Sequence, residues 1–256
     1  MTTVIAVCGF VVAAVAGGRS TWSPCGLSML ASITPLAEQG RGHRYRSTTA
    51  WFVLGAVAGG ASLGVCLAAL AAGVGAAGAS ATTLAVLACA ASLVAAAADA
   101  RVAGFRLPVH RRQVNERWLD QFRPWVYGAG FGWQIGTGLV TYIKAAAVYL
   151  MIVLAALTGD PVLALAIGTL FGLVRGLAVL LGRRITSPAT LAAFHRRFTE
   201  LGPVVLRIVA AVEVAAALLL AALVGLWAAL AVLGAVLGLA AAVVVPASRS
   251  RLSAPR

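Results

Sequence analysis

The chain has 256 residues, 61% of them hydrophobic and 11% charged, with a formal net charge of +13 and a mean hydropathy of +0.97. Soluble domains carry about 25% charged residues, so this composition excludes a water-soluble globular domain and predicts an all-α, polytopic membrane protein. The basicity alone would suit nucleic acid, but its distribution along the chain needs no such partner.

Apolar runs place about seven transmembrane helices, at 4–36, 49–72, 80–98, 126–157, 162–182, 203–224 and 227–246. No basic residue precedes the first run, so no cleaved signal is expected and the first span itself targets the chain. The first span is longer than one straight helix needs, and it contains Gly17-Gly18 and Pro24 as breakers. Between the third and fourth spans, "PVHRRQVNERWLDQFRPW" predicts an interfacial helix with Val114, Trp118, Leu119 and Phe122 on its apolar stripe, stopped by Pro124. The fourth span is again overlong, and Gly128, Gly130, Gly132, Gly136 and Gly138 read as its breakers. After the fifth, Ser187 and Pro188 start a second interfacial helix with Leu191, Phe194, Phe198 and Leu201 on one stripe. His110 and His195 on these two connections read as solvated surface residues. The stretch 203–246 is too long for one span and is expected to turn near Gly225-Leu226-Trp227.

Arginines 41, 44 and 46, then 101, 106, 111, 112, 117 and 123, then 183, 184, 196, 197 and 207, and finally 249, 251 and 256 all fall on one side of a seven-span topology. The opposite connections, "GVGAAGAS", "TGDP" and "GLW", hold no Lys or Arg. The positive-inside rule then predicts a multi-pass protein of the cell (plasma or inner) membrane, N-terminus outside and C-terminus cytoplasmic.

An internal similarity reinforces this order. "TWSPCGLSMLASIT" matches "GWQIGTGLVTYIKA" in pattern, and Gly55 and Gly59 match Gly168 and Gly172 at a constant offset. Three spans per unit make a 3+3 inverted repeat, an architecture that puts sites where two interrupted helices meet. The expected organisation is one integral membrane domain over 1–256: repeat A 1–98, a cytoplasmic loop 99–125, repeat B 126–224, an extra span 227–246 and a cytoplasmic tail 247–256.

Helical spacing gathers Thr21, Cys25, Ser28 and Ser32 on one face of the first span, and Gln134, Thr137, Thr141 and Lys144 on one face of the fourth. Two such faces would line a common cavity, or serve as interhelical packing. Lys144 is the one lysine among 20 basic residues, and unlike Arg a lysine can lose its proton when buried. Arg175 and Glu213 are the other mid-membrane charges, and such charges are paired or functional. The three together would stay cationic and favour a small anion; a structural Arg175–Glu213 pair is the alternative. Counting depth along the fifth and sixth spans predicts Glu213 within salt-bridge reach of Arg175 or Lys144. Arg19 reads as a snorkelling residue near the outer interface. Cys8, Cys66 and Cys89 read as apolar fillers, whereas Cys25 follows a proline at a helix break, where a helix N-terminus can activate a thiol. No metal-ligand spacing occurs and no cofactor is called for.

Ser23-Pro24-Cys25, the 3+3 repeat, the Gly-rich second and fifth spans and the outside N-terminus together resemble the transmembrane thiol-relay family of cytochrome c biogenesis CcdA and the DsbD membrane domain, with its MauF-like (methylamine utilisation) branch. The resemblance covers roughly residues 1–224. It implies electron transfer between cytoplasmic thioredoxin and exported thiol proteins through one cysteine in the first span and one in its repeat partner. Cys25 matches the first. The second position falls near Gly136-Thr137, and no cysteine follows Cys89. Three functions follow as expectations. One is an accessory protein for redox handling or maturation of an exported protein, partnered by a thioredoxin-like or exported redox protein. Another is a transporter of a small anion through Lys144, Arg175 and Glu213. The last is a full relay in which Cys25 pairs with Cys66 or Cys89.

Overall fold

The computed structural model describes residues 1–108, 121–138 and 145–238, and over these it is helical without strands. Helix α1 is Thr2–Ser20, α2 Pro24–Ser32, α3 Pro35–Gly40, α4 Tyr45–Ala76 and α5 Ala81–Asp99. Then follow α6 (Pro124–Thr137), α7 (Ala146–Leu157), and α8 (Pro161–Leu177), which tightens into 3₁₀ turns over Ala178–Arg184. Helix α9 is Pro188–Val224, and α10 is the apolar helix Leu226–Gly238. Among the described residues five helices are long and apolar enough to cross a membrane: α1, α4, α5, α8 with its 3₁₀ extension, and α9. The chain is read accordingly as a multi-pass membrane protein. The interfacial helix expected around Val114, Trp118 and Leu119, with His110, and the tail beyond 238 lie outside the described residues.

Local chemistry sets the helix ends. Pro24 lacks an N–H and holds Ser23 extended (φ −82, ψ 160), so α1 cannot run on; Ser23 then caps α2 by accepting from Gly26 N at 3.2 Å. Thr34, Ser80, Asp160 and Ser187 cap α3, α5, α8 and α9 in the same way, Ser187 within a capping box with Thr190. Gly138 closes α6 with φ 67, and Gly225 closes α9 with φ 153, both backbone states that a side chain disfavours.

The centre of the bundle is α4. It runs parallel to α6, where Gly128 meets Thr48, Gly132 meets Phe52 and Gly136 meets Ala56, each contact directed at α4's backbone carbonyls. It runs antiparallel to α8, where Gly60 meets Gly168 and Gly172, Gly64 meets Leu165, and Gly176 meets Val53. Glycines 128, 132 and 136 are therefore contact positions inside a continuous α6, not breakers, and α6 ends at Gly138. Without Cβ atoms the backbones approach closely enough for dispersion and carbonyl contacts to hold helices that lipid gives no hydrophobic reason to associate. One apolar cluster joins α1, α5, α7, α9 and α10 through residues such as Val12, Leu154, Ala217 and Val232. A second, smaller one surrounds α2.

The expected division of 183–202 from 203–224 is corrected. Helix α9 runs unbroken through Pro203. Pro203 lacks the N–H that would reach the Thr199 carbonyl, and one residue earlier the Phe198 carbonyl accepts from outside the helix, from Trp22 Nε1 at 2.7 Å. His195 is half-buried rather than solvated; its Nε2 is buried without a hydrogen-bond partner among the described residues.

A polar network at the arginine-bearing end ties α3 to α4 and α6. Glu38 is fully buried and accepts from Thr48 Oγ1 and from Tyr127 OH (2.8 Å), with Arg41 Nη1 at 3.1 Å. Arg41 also donates to the Ser32 carbonyl at 2.9 Å, and His43 Nδ1 lies 3.4 Å from Tyr127 OH.

Two outcomes test this packing. Gly172→Leu should abolish the folded monomer in detergent, read by size exclusion, while Gly18→Ala, where an added Cβ meets nothing within 4 Å, should be tolerated. Glu38→Ala leaves Tyr127, Thr48 and Arg41 without their acceptor and should cost about 3 kcal/mol, seen as a lowered thermal midpoint, whereas Tyr127→Phe should cost about 1 kcal/mol.

Candidate functional site

Cys25 is the second residue of α2 and 2% exposed. It belongs to the buried apolar cluster that also holds Phe52 of α4, Phe131 and Ile135 of α6, Val179 of the 3₁₀ turn and Phe198 of α9. The residues just before it are held firmly. A Cβ on Gly26 would collide with the Thr21 carbonyl, so glycine there lets the chain fold back tightly enough to start α2 beneath α1. Trp22 stacks on Phe198 with ring centroids 4.1 Å apart and planes 8° apart.

Arg175 approaches from α8. It is 4% exposed, its guanidinium carbon lies 5.4 Å from the Phe171 ring centroid, and Cys25 is its electrostatic neighbour. One guanidinium nitrogen lies 3.4 Å from where a Cβ on Gly138 would stand. The break between α1 and α2 and the break after α6 thus both border Arg175. The side chain is amphipathic enough to fit here, its cationic plane against an aromatic face and its charge beside the thiol.

The second half of the interrupted α6–α7 stretch is held by a residue that the sequence reading left out. Asp99, at the end of α5 and 6% exposed, accepts from Ala146 N (2.8 Å) and Ala147 N (3.3 Å), satisfying donors that every helix N-terminus leaves open. Arg19 and Arg101 are its electrostatic neighbours. Arg19 is therefore at the arginine-rich end of α5, not near the opposite interface: α1 already measures about 28 Å at 1.5 Å per residue when it reaches Ser20.

Glu213 is fully buried on α9, and neither carboxylate oxygen has a hydrogen-bond partner among the described residues. Its electrostatic neighbour is Asp99. The expected bond to Arg175 is not made, because α9 packs on α5 and α1 whereas α8 packs on α4, α1 and α6. The alternative partner, Lys144, lies outside the described residues, as does Thr141. Of the remaining expected residues, Thr137 is buried and donates to the Gln134 carbonyl at 2.9 Å, and Gln134, Ser28 and Ser32 are half-buried. The structure brings Cys25 and Arg175 together and puts Glu213 in a separate acidic neighbourhood with Asp99.

Cys8, Cys66 and Cys89 are unbridged. Cys66 faces outward from α4, and Cys89 belongs to the first cluster, where its thiol contacts the Ala217 carbonyl at 3.4 Å. Trp22, Phe198 and Asp99 are the site's contributors that sequence reasoning missed; the Ser-Pro-Cys break next to an isolated Trp was the available signal for the first.

No family model matches the chain, and no solved structure matches it. Among curated proteins, the methylamine utilization protein MauF of Paracoccus denitrificans is 38% identical over 177 residues, covering 65% of this chain and 61% of that protein. MauF of Paracoccus versutus is 35% identical over 176 residues, 65% of this chain and 62% of its own. MauF of Methylobacillus flagellatus is 29% identical over 209 residues, 75% of this chain and 70% of its own. The chain spans less than two thirds of the length of the two Paracoccus proteins, and over most of its own length it is similar to proteins named MauF.

Proposed function

We propose that the chain is a membrane accessory protein of methylamine utilisation that handles the thiols of an exported redox protein through Cys25. The observation that carries this is the seating of Cys25 at the start of α2 beside Arg175, in a chain similar to MauF. A relay that stores an electron pair as an internal disulfide needs two thiols that meet, and Cys66 and Cys89 stand in other surroundings. A single thiol can still exchange. Its sulfur attacks one sulfur of a partner's disulfide, a mixed disulfide forms, and the partner's other sulfur leaves as a thiolate with the electron pair. A further thiol of the partner then attacks the mixed disulfide and releases Cys25 unchanged. Such a cycle rearranges disulfides without net oxidation, which suits maturation.

The same reading includes seven spans in the plasma or inner membrane, N-terminus outside, with CcdA/DsbD-like inverted halves. The crossing of the α4 and α8 glycines and the presence of a break in each half support it. The second reading, passage of a small anion, rests on the buried Arg175 cation, with Thr137, Gln134, Ser28 and Ser32 as further polar residues; Lys144 and Thr141 join them by sequence pattern alone. The distance of Glu213 from that group weakens a three-charge site.

In a methylamine-utilising bacterium lacking its own MauF, the chain should restore growth on methylamine and Cys25→Ser should not. An adduct cleaved by reductant should appear on non-reducing gels of alkylation-quenched cells and vanish with Cys25→Ser. Full growth with Cys25→Ser would remove the thiol role and leave anion passage. For topology, a cysteine replacing Ala79 should react with a membrane-impermeant maleimide in intact cells, and one replacing Ala189 only after permeabilisation; the reverse pattern would overturn the orientation.

A further inference from the structure

Glu213 lies deep in the membrane-spanning part of α9, which ends at Val224. At 1.5 Å per residue it stands about 16 Å from that end, near the middle of roughly 30 Å of hydrocarbon. Its side chain is 0% exposed, and both carboxyl oxygens are buried without a hydrogen bond among the described residues. The elements packed on α9 are α5 and α1, with α10 joined through the first apolar cluster. The titratable or charged groups they bring are Cys89 and Asp99 of α5 and Cys8 and Arg19 of α1, and Leu226–Gly238 brings none. Buried Ser92 and Cys89 of α5 already donate to the Ala88 and Ala217 carbonyls.

Asp99 is the electrostatic neighbour of Glu213, and the two carboxyls are treated differently. Asp99 accepts from Ala146 N and Ala147 N and has Arg19 and Arg101 as cationic neighbours. Glu213 has no donor among the described residues, and a second carboxylate is its neighbour. An unpaired anion is among the costliest groups to bury, whereas a neutral carboxyl is far cheaper. Where two carboxyls sit in such unequal surroundings, the one with donors and cations keeps its charge and the other keeps its proton.

We infer that Glu213 is a proton-binding site of the membrane interior, occupied while α9 lies against α5 and emptied when the two part and water enters. Proton and helix contact are then one event: ionisation draws this part of α9 towards water, and its return to α5 takes the proton back. The site does not rest on the thiol reading, which makes no use of Glu213.

The probe is dicyclohexylcarbodiimide, an apolar reagent that requires a protonated carboxyl. The acid's proton passes to a carbodiimide nitrogen, the carboxyl oxygen bonds to the central carbon, and the O-acylisourea rearranges to a stable N-acylurea, with nothing oxidised or reduced. The full chain in detergent, labelled and read by peptide mass spectrometry, should carry the adduct on Glu213 at about pH 7, where an ordinary glutamate is ionised. Asp99 should carry about tenfold less. Glu213→Gln, a neutral group of the same shape, should remain a folded monomer by size exclusion. The native chain holds a proton that the unfolded chain releases above about pH 4.3, so rising pH favours unfolding of the wild type and not of the variant. Between about pH 6 and pH 8 the wild-type folding equilibrium, measured by detergent-titrated unfolding, should weaken about tenfold per pH unit relative to Glu213→Gln. Parallel pH curves for the two proteins would overturn the proton site, and they require no entry of a reagent. Loss of the folded monomer in Glu213→Gln together with absence of the adduct would also overturn it, in favour of an ionised Glu213 held by a cation such as Lys144. Labelling slowed about threefold or more by sodium chloride relative to choline chloride would overturn it in favour of a metal-cation site, for which oxygen ligands would have to be supplied.

Discussion

The near-contact of backbones along α4 is the constraint on which the rest of the molecule depends. Gly55 and Gly59 accept α6, and Gly60 and Gly64 accept α8, on adjacent faces of one helix. Because the two neighbours are indexed to adjoining glycine pairs of one helix, their relative height is fixed: Thr137 N lies against Gly59 while Gly172 lies against Gly60. Gly138 and Arg175 must then arrive at the same level. A methyl group on any of these glycines would push one helix outward and separate the break from the guanidinium, with no loop able to compensate.

That indexing also explains how a full cation is accommodated. Charges in a bilayer interior are costly unless protein surrounds them. Arg175 sits where two helices are interrupted, against an aromatic ring and beside a sulfur, and the interrupted backbone supplies polar surface that an intact helix would hide. The acidic pair Asp99 and Glu213 occupies a different neighbourhood, on the side of α1 where α5 and α9 meet. Arg175 and these two carboxylates therefore lie on different helix contacts.

Much of the helical layout was legible from residues alone, because hydropathy and capping are local: 49–72, 80–98 and 162–182 lie within α4, α5 and α8 with its extension, or within a residue of their ends, and Ser187-Pro188 opens α9. The site was legible only in part, for physical reasons. Glycine serves both as a breaker and as a contact surface, and a sequence does not distinguish Gly136 inside a helix from Gly138 at its end. Pro203 reads as a terminus, yet a helix tolerates it where an outside donor and neighbouring helices support the loosened turn. Depth arithmetic matched Arg175 to Glu213 because rise per residue gives height and says nothing of which neighbours a helix faces. Asp99 and Glu38 were hidden among loop arginines; their roles depend on atoms 47 and 89 residues away.

The seat that Asp99 provides has a consequence for how the chain is built into a membrane. Helix α7 has 12 residues, about 18 Å at 1.5 Å per residue, well short of the roughly 30 Å of hydrocarbon. On leaving the ribosome it cannot be retained by lipid on its own account. The carboxylate that closes its N-terminus was synthesised 47 residues earlier, and the helices it packs on most, α1, α5 and α4, precede it as well. Its socket is therefore already made when it emerges, so that partitioning of this short segment into the bilayer is templated by protein that has gone before.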